Sequence, residues 1–332
     1  MGRGSRPARC TAARMSMSIS MSMLQCAVAV TTLHACTPLA TPPSVRETAK
    51  NAGELTIQDA DAAAAFAAFT PLLAAHDERV RKLDVFESRS SLELRYHNES
   101  GEHFDQCEAD IFLAGADRGA VRITKVGHNL MWIGGNANRG WIFYLDSKPT
   151  RAVVYEQLDE SAAGSADSME NGEFALLTPK SARMLMGLAA IPHDALLLRI
   201  AGAAPDAPWH ERVEVQWRVH ARATVSMRLG ADGLPTQVCV RDLAGTVIAT
   251  ATLTEYVSVR APNLAEGAWP RVARRTEVIA PRTKSVIRLF LDGPSAQGKR
   301  IKPKFFELDA LIAQMRPDSV EYVHQTESVT KP

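Results

Sequence analysis

The sequence predicts a mainly β, α+β protein: a single large curved antiparallel sheet, an unclosed β-barrel with helices on its concave side. Three observations predict it. Residues 120–156 hold four short apolar runs separated by turns rich in Gly and Asn or ending in Pro, the pattern of an antiparallel meander. Across positions 213–229 every odd residue is apolar and every even residue is polar, a strict period of two. Strand patterns continue after residue 60 with no linker, so one sheet explains the 332 residues better than two domains.

The meander runs through Val121 and Ile123, then residues 130–133, then Trp141-Ile142-Phe143-Tyr144-Leu145, then residues 153–155. Its breaks are Gly127-His128-Asn129, Gly134-Gly135-Asn136 and Asp146-Ser147-Lys148-Pro149. Gly and Asn tolerate the positive φ of tight hairpins, and Pro ends ladder pairing. The third run is apolar on both faces. A helix, another layer or a ligand must therefore cover its second face.

The N-terminus carries Arg3, Arg6, Arg9 and Arg14 and no acid in its first 35 residues. A mildly apolar stretch rich in Met, Ser, Ala and Val follows, and then Leu33-His34-Ala35-Cys36. These are the three parts of an export signal. The last four residues resemble a bacterial lipobox, which implies lipidation of Cys36 and membrane attachment through that lipid; His34 departs from the pattern. Residues 1–35 are then the signal peptide and 36–58 the anchor and a Pro-containing tether. By analogy with lipoprotein sorting, the absence of Asp after Cys36 favours the outer membrane, facing the periplasm. Removing the signal changes 38 basic against 37 acidic residues to 34 against 37. That balance carries no electrostatic footprint for nucleic acid.

After the tether, Asp59 is a candidate N-cap for an Ala-rich helix with Phe66, Phe69 and Leu73 on its buried face. Pro71 predicts a kink or two short helices. Strands begin near Val85, with Leu92, Leu94 and Tyr96 alternating with charged residues. Residues 159–172 are polar and read as a loop. Thr178-Pro179 opens a second helix, expected to end near Ile191 because Pro192 disfavours helix before it. The alternating run 213–229 is too long for a typical straight strand. It is one strongly curved strand, or two with a bend near His220-Ala221. Turns at Asp232-Gly233 and Ala244-Gly245 lead into further strands, and Leu308, Leu311, Ile312 and Met315 mark a last short helix. The sum is ten or eleven strands, with the domain spanning 59–324 and a disordered tail at 325–332.

The order of these features resembles the LolA/LolB-like family, the periplasmic carrier and outer-membrane receptor of bacterial lipoproteins. The resemblance covers roughly residues 59–324. It rests on Ala120-Val121-Arg122-Ile123, Trp141-Ile142-Phe143-Tyr144, Leu177-Thr178-Pro179, Met186-Gly187-Leu188, Ile191-Pro192, Asp232-Gly233-Leu234-Pro235, Asp242-Leu243-Ala244-Gly245 and Tyr256. None is specific alone; their order and spacing carry the resemblance. It implies an unclosed barrel with an apolar, helix-lidded concave face that binds acyl chains or lipoproteins. The carrier holds its lid with an inward Arg, for which Arg122 is the candidate here.

Trp132, Trp141, Phe143 and Trp217 either line such a cavity or are plain sheet core, and in an unclosed barrel the two are one surface. Leu185 and Leu188 of the second helix are expected over it. The chemistry of other classes is thin. The segment 134–140 lacks the Lys-Ser/Thr ending of a phosphate loop. His97, His103 and Cys107 lack compact metal-ligand spacing. No Gly-x-Ser-x-Gly elbow occurs, and no cofactor is called for. The basic run Lys299-Arg300-Ile301-Lys302-Pro303-Lys304 is a solvated loop or a contact for anionic headgroups. Cys107 and Cys239 are left in the mature domain, as buried thiols or a single pair. The sequence therefore points to a non-enzymatic envelope protein that binds an acyl chain or other amphiphile. An envelope sensor or interaction module built on the same sheet is the alternative; a hydrolase is a third reading that no motif carries. The protein partner is not specified.

Overall fold

The computed structural model describes residues 59–98, 101–156, 179–192, 197–200, 207–220 and 223–323. The expected signal, the Cys36 anchor, the tether, the 159–172 loop and the tail lie outside them. Fourteen strands form one sheet, in the order β14-β6-β5-β4-β3-β2-β1-β13-β12-β11-β10-β9-β8-β7. The first meander is β1 (Val85–Asn98), β2 (Gly101–Ala114), β3 (Arg118–Lys125), β4 (His128–Gly135), β5 (Arg139–Tyr144) and β6 (Arg151–Glu156). The second is β7 (Leu197–Ile200), β8 (Val213–His220), β9 (Ala223–Leu229), β10 (Pro235–Asp242), β11 (Val247–Ser258), β12 (Arg271–Ala280) and β13 (Ser285–Ser295). They join where β13 pairs antiparallel with β1, Ser90 opposite Leu291 and Leu94 opposite Ile287. The terminal strands β7 and β14 do not pair with each other, so the sheet is open. Strand β14 (Ser319–Val323) is the exception to the antiparallel rule and lies parallel to β6.

Register assigns every side chain to one of two faces. Starting from Leu92 opposite Leu289 and Cys107, cross-strand partners share a face. One face, here the inner, collects Ile111, Val121, Ile133 and Ile142 on one side. On the other side it collects Val278, Ala251, Val238, Met227 and Val215. The outer face carries Phe112, Trp132 and Phe143 in the first meander and mostly polar residues in β8–β11.

Helix α1 (Asp59–Arg81) packs on the inner face of the second meander through Ala65, Phe69 and Leu73. It is continuous through Pro71, against the expected break. Pro71 removes the donor that would meet the carbonyl of Ala67, an exposed residue, and the buried stripe on both sides of Pro71 carries the helix through. Phe66 is 47% exposed, off the stripe that the sequence assigned to it. Helix α2 (Pro179–Leu185) stops earlier than Pro192 requires. Gly187 adopts φ +65°, its N–H bonds the Met184 carbonyl, and the Leu188 N–H bonds the Arg183 carbonyl at 2.7 Å. That is a Schellman stop, which needs glycine at the left-handed position.

The 213–229 run is two strands, parted next to His220 as the second alternative had it, and they pair antiparallel. It is the β8–β9 hairpin, with Val215 opposite Met227 and Trp217 opposite Val225. Its alternation survives the reversal because odd residues on both strands face inward. A four-residue helix α3 (Trp209–Arg212) and strands β7 and β14 were absent from the sequence expectation. The last helix, α4 (Leu308–Met315), packs on the outer face rather than beside α1 and α2.

The Gly134–Gly140 segment is sheet and hairpin. Gly134 and Gly140 stand within strands, and a Cβ on Gly134 would lie 2.6 Å from Trp141 Nε1 and 3.2 Å from the Gly119 carbonyl. Both glycines make room for large rings on neighbouring strands. Gly134→Ala should therefore cost about 1–3 kcal/mol of unfolding free energy by chemical denaturation. Gly267→Ala, where a Cβ meets nothing within 4 Å, should change it by less than about 0.5 kcal/mol.

Candidate functional site

The doubly apolar β5 strand resolves into two environments. On the outer face Trp141 and Phe143, with Trp132 and Phe112, form a closed cluster under the C-terminal segment. Phe305 lies 4.8 Å from the Phe112 ring and 5.2 Å from the Trp132 ring, and Phe306, Leu308 and Leu311 complete the cover. The segment is held at its start by Arg300. Its backbone N–H bonds Glu87 at 2.8 Å, its guanidinium bonds Asp110 at 2.9 Å, and it stacks over Phe112. Arg300 is thus a docking residue, whereas Lys299, Lys302 and Lys304 of the same basic run are exposed. Arg122 donates to Asp110 beside it, on the outer face, and so does not reach the inner side.

On the inner face of β1–β6 the arrangement differs. Ile133, Ile142 and Tyr144 form a small core with half-buried Ile123, Met131, Val153 and Tyr155. A second group joins Leu92, Cys107 and Ala109 to half-buried Leu94, Leu130, Ile287 and Leu289. Every member of both groups is a strand residue; among the described residues no helix packs into either. Among the described residues two inner-face hydroxyls, those of Ser90 and Tyr155, are buried without a hydrogen-bond partner.

The six apolar side chains expected around one cavity therefore divide between faces. Trp132, Trp141 and Phe143 are together on the outer face. Trp217 and Leu185 are together on the inner face under α1, and Leu188 joins the neighbouring inner cluster with Leu83, Phe86 and Leu113. A cavity of about 380 Å³ lies elsewhere, at the β2–β3 and β4–β5 turns, lined by Ala114, Asp117, Arg118, Asn136 and Asn138 among others. Its lining is polar at the rim and contains none of these six.

The roof is fastened by buried cations that sequence reasoning missed. Arg79, near the end of α1, donates to the carbonyls of Gly187 and Arg271 and to Nδ1 of His76. His76 is fully buried and reaches the Ala189 carbonyl at 2.9 Å. With Nδ1 accepting from Arg79, the proton sits on Nε2 and is donated to Ala189. Arg183 of α2 donates to the Asp84 carbonyl at 2.7 Å and to that of Leu83. These contacts tie α1, the 187–189 strap and the start of β1 into one unit. The available signal was the continuation of the α1 stripe past Leu73 by His76 and Arg79 at helical spacing.

Among the described residues no group of three His, Cys, Asp or Glu side chains is placed to hold a metal ion. His103 stacks on Tyr96 instead, at 5.1 Å. Cys107 and Cys239 are both buried and unpaired with each other. No helix among the described residues is long and apolar enough to cross a membrane. Val126, at the tip of the β3–β4 hairpin, is 88% exposed and adopts φ +50°, a rare conformation for a β-branched residue.

No family profile and no curated protein matches the chain. Among solved structures it is similar to a LolA superfamily protein from Nitrosomonas europaea, at 11% identity and TM-score 0.43, covering 72% of this chain and 97% of that one. It is similar to a putative outer membrane lipoprotein-sorting protein domain from Vibrio parahaemolyticus, at 11% identity and TM-score 0.45, with the same coverage. A DUF1329 family protein from Desulfovibrio piger gives 10% identity and TM-score 0.45, over 73% of this chain and 99% of that one.

The roof should respond to acid. Burial, and then the Arg79 charge, lower the His76 pKa from 6.5 to about 4. A histidine held neutral in the folded state supports stability above the unfolded pKa and loses that support as pH falls from 6.5 toward 4. The loss should be roughly 3 kcal/mol over that window. His76→Gln, which keeps one donor and one acceptor, should flatten this part of the stability-versus-pH curve measured by urea unfolding. An unchanged slope would mean that His76 does not set it.

Proposed function

We propose that this is a lipid-anchored envelope protein whose 59–324 domain binds acyl chains or acylated proteins on its inner face, in lipid or lipoprotein transfer toward the outer membrane. The observation that carries this reading is the apolar inner surface of β1–β6 and β13 beyond the roofed end at Phe86, Ile111 and Leu113, where among the described residues only strand side chains pack. Half-buried Ile123, Met131, Val153, Leu94 and Leu289 stand on it in a row of neighbouring strands. Hydrocarbon laid there gains about 0.8 kcal/mol per buried CH₂, so a chain of ten or so carbons suffices for useful affinity. Trp217, Leu185 and Leu188 belong to the same face at its roofed end, and we assign them the inner limit of the site. Trp132, Trp141, Phe143 and Arg122 act indirectly in this scheme, by seating the C-terminal segment on the reverse side. The export-type N-terminus with Leu33-His34-Ala35-Cys36 supports the anchor and the envelope location.

A fluorescent fatty-acid analogue should bind the purified protein saturably, and a diacylated peptide should displace it. Met131→Glu, which puts a carboxylate on the proposed surface, should remove that binding. Gln237→Glu, half-buried on the outer side of β10, should leave it unchanged. A folded wild type that binds neither probe and copurifies with no lipid would sink the reading.

The anchor is tested separately. Replacing Cys36 by Ser should move the protein from the membrane to the soluble envelope fraction. Identical fractionation of both forms, with no acylated N-terminal peptide by mass spectrometry, would rule the anchor out.

A further inference from the structure

Tyr155 stands on β6 opposite Gly140, on the inner face with Ile133, Ile142 and Val153. Its ring lies flat over Gly140: a Cβ there would come within 2.1 Å of the ring and 2.5 Å of the hydroxyl. The ring is thus fixed in place by the missing side chain beneath it. At the end of this rigid ring the hydroxyl is buried and has no partner among the described residues. Buried polar groups in native proteins are rarely left so, and each asks for an explanation. Phenylalanine would fill the same volume without the orphaned group. The other unpaired inner hydroxyl is that of Ser90, on β1.

We propose that the Tyr155 hydroxyl is the hydrogen-bond donor for the carbonyl or carboxyl oxygen at the head of an acyl chain lying on the inner face. The inference rests on the acyl-binding reading and adds to it the chemistry by which the head of the ligand is recognised. Burial, with a smaller contribution from Tyr144, pushes the phenol's ionisation above its ordinary range, so it is a neutral donor throughout the physiological range. A neutral donor in apolar surroundings selects an acceptor: an ester, an amide or a carboxylate. It gives nothing to an alkyl chain that ends in a cation. Free fatty acids and the ester-linked chains of a diacylglyceryl group share this chemistry.

The test uses the full chain and three probes with the same twelve-carbon tail: laurate, methyl laurate and dodecyltrimethylammonium, which has no carbonyl. Tyr155→Phe should weaken one or both carbonyl probes by about three- to tenfold and leave the ammonium probe unchanged. It should also raise the melting temperature of the ligand-free protein, because an unpaired buried hydroxyl is removed. A loss confined to laurate points to free acids, and a loss shared with methyl laurate points to esters. Equal affinities in wild type and Tyr155→Phe, or an equal loss for all three probes, would overturn the inference and leave the acyl-binding reading standing. A wild type that binds none of the three removes that reading and this inference with it.

Discussion

The pairing of β1 with β13 is the contact on which the rest of the structure depends. It brings together residues about two hundred positions apart, Ser90 with Leu291 and Arg95 with Val286. Either meander alone closes through local hairpins. Only this seam makes them one sheet, and only then do their inward-facing residues form a continuous surface from Leu198 to Val153. The loop-closure entropy of so distant a contact must be met before any of that burial is gained. A bulge between Glu87 and Arg89 interrupts the seam, and Glu87 is the residue that receives the Arg300 backbone N–H. The irregularity in the seam thus sits where the C-terminal segment begins its crossing of the outer face.

The two faces are covered by different means. Helix α1 and the strap after α2 roof the second meander, fastened by guanidinium groups donating to main-chain carbonyls. The outer face of the first meander is covered by the chain after β13, through aromatic packing with the Arg300–Asp110–Arg122 group at its edge. What is left is the inner face of the first meander beyond Phe86, Ile111 and Leu113, where among the described residues only strand side chains pack. The division explains the composition of β5. Trp141 and Phe143 answer to the C-terminal segment, while Ile142 and Tyr144 are buried against Ile133, Val153 and Tyr155 on the inner face.

Much of this was legible in the sequence because strand alternation and hairpin turns are local. The first meander, the Asp232-Gly233 and Ala244-Gly245 turns and both strands after residue 270 stand where the pattern puts them. The doubly apolar run at 141–145 announced a cover that the C-terminal segment supplies over Trp141 and Phe143; on the other face Ile142 and Tyr144 pack against strand residues. What the pattern could not supply is which of its two faces meets which cover. A period of two separates Trp141 from Ile142 but does not label inside and outside; that label comes from the path of the chain after residue 296. The β8–β9 reversal was hidden for a related reason. Odd residues face inward on both arms, so the parity runs through the turn unbroken. Strand β14 carried little signal because its pairing is parallel and its five residues are largely exposed. Arg79 and His76 escaped notice because buried polar groups inside a helix stripe look like breaks in it until their carbonyl partners are known.

Strands β7 and β14 have a consequence for solubility. Among the described residues the margins of the fourteen-stranded sheet are four and five residues long. Unpaired amides and carbonyls along a strand are a template on which another chain can add. The longest strands, β1 and β2 at fourteen residues each, are placed in the middle, where both of their sides are occupied. Short strands at the rim limit the ladder that a neighbouring molecule could extend. Margins this short limit stacking of the sheet edge to edge into fibres.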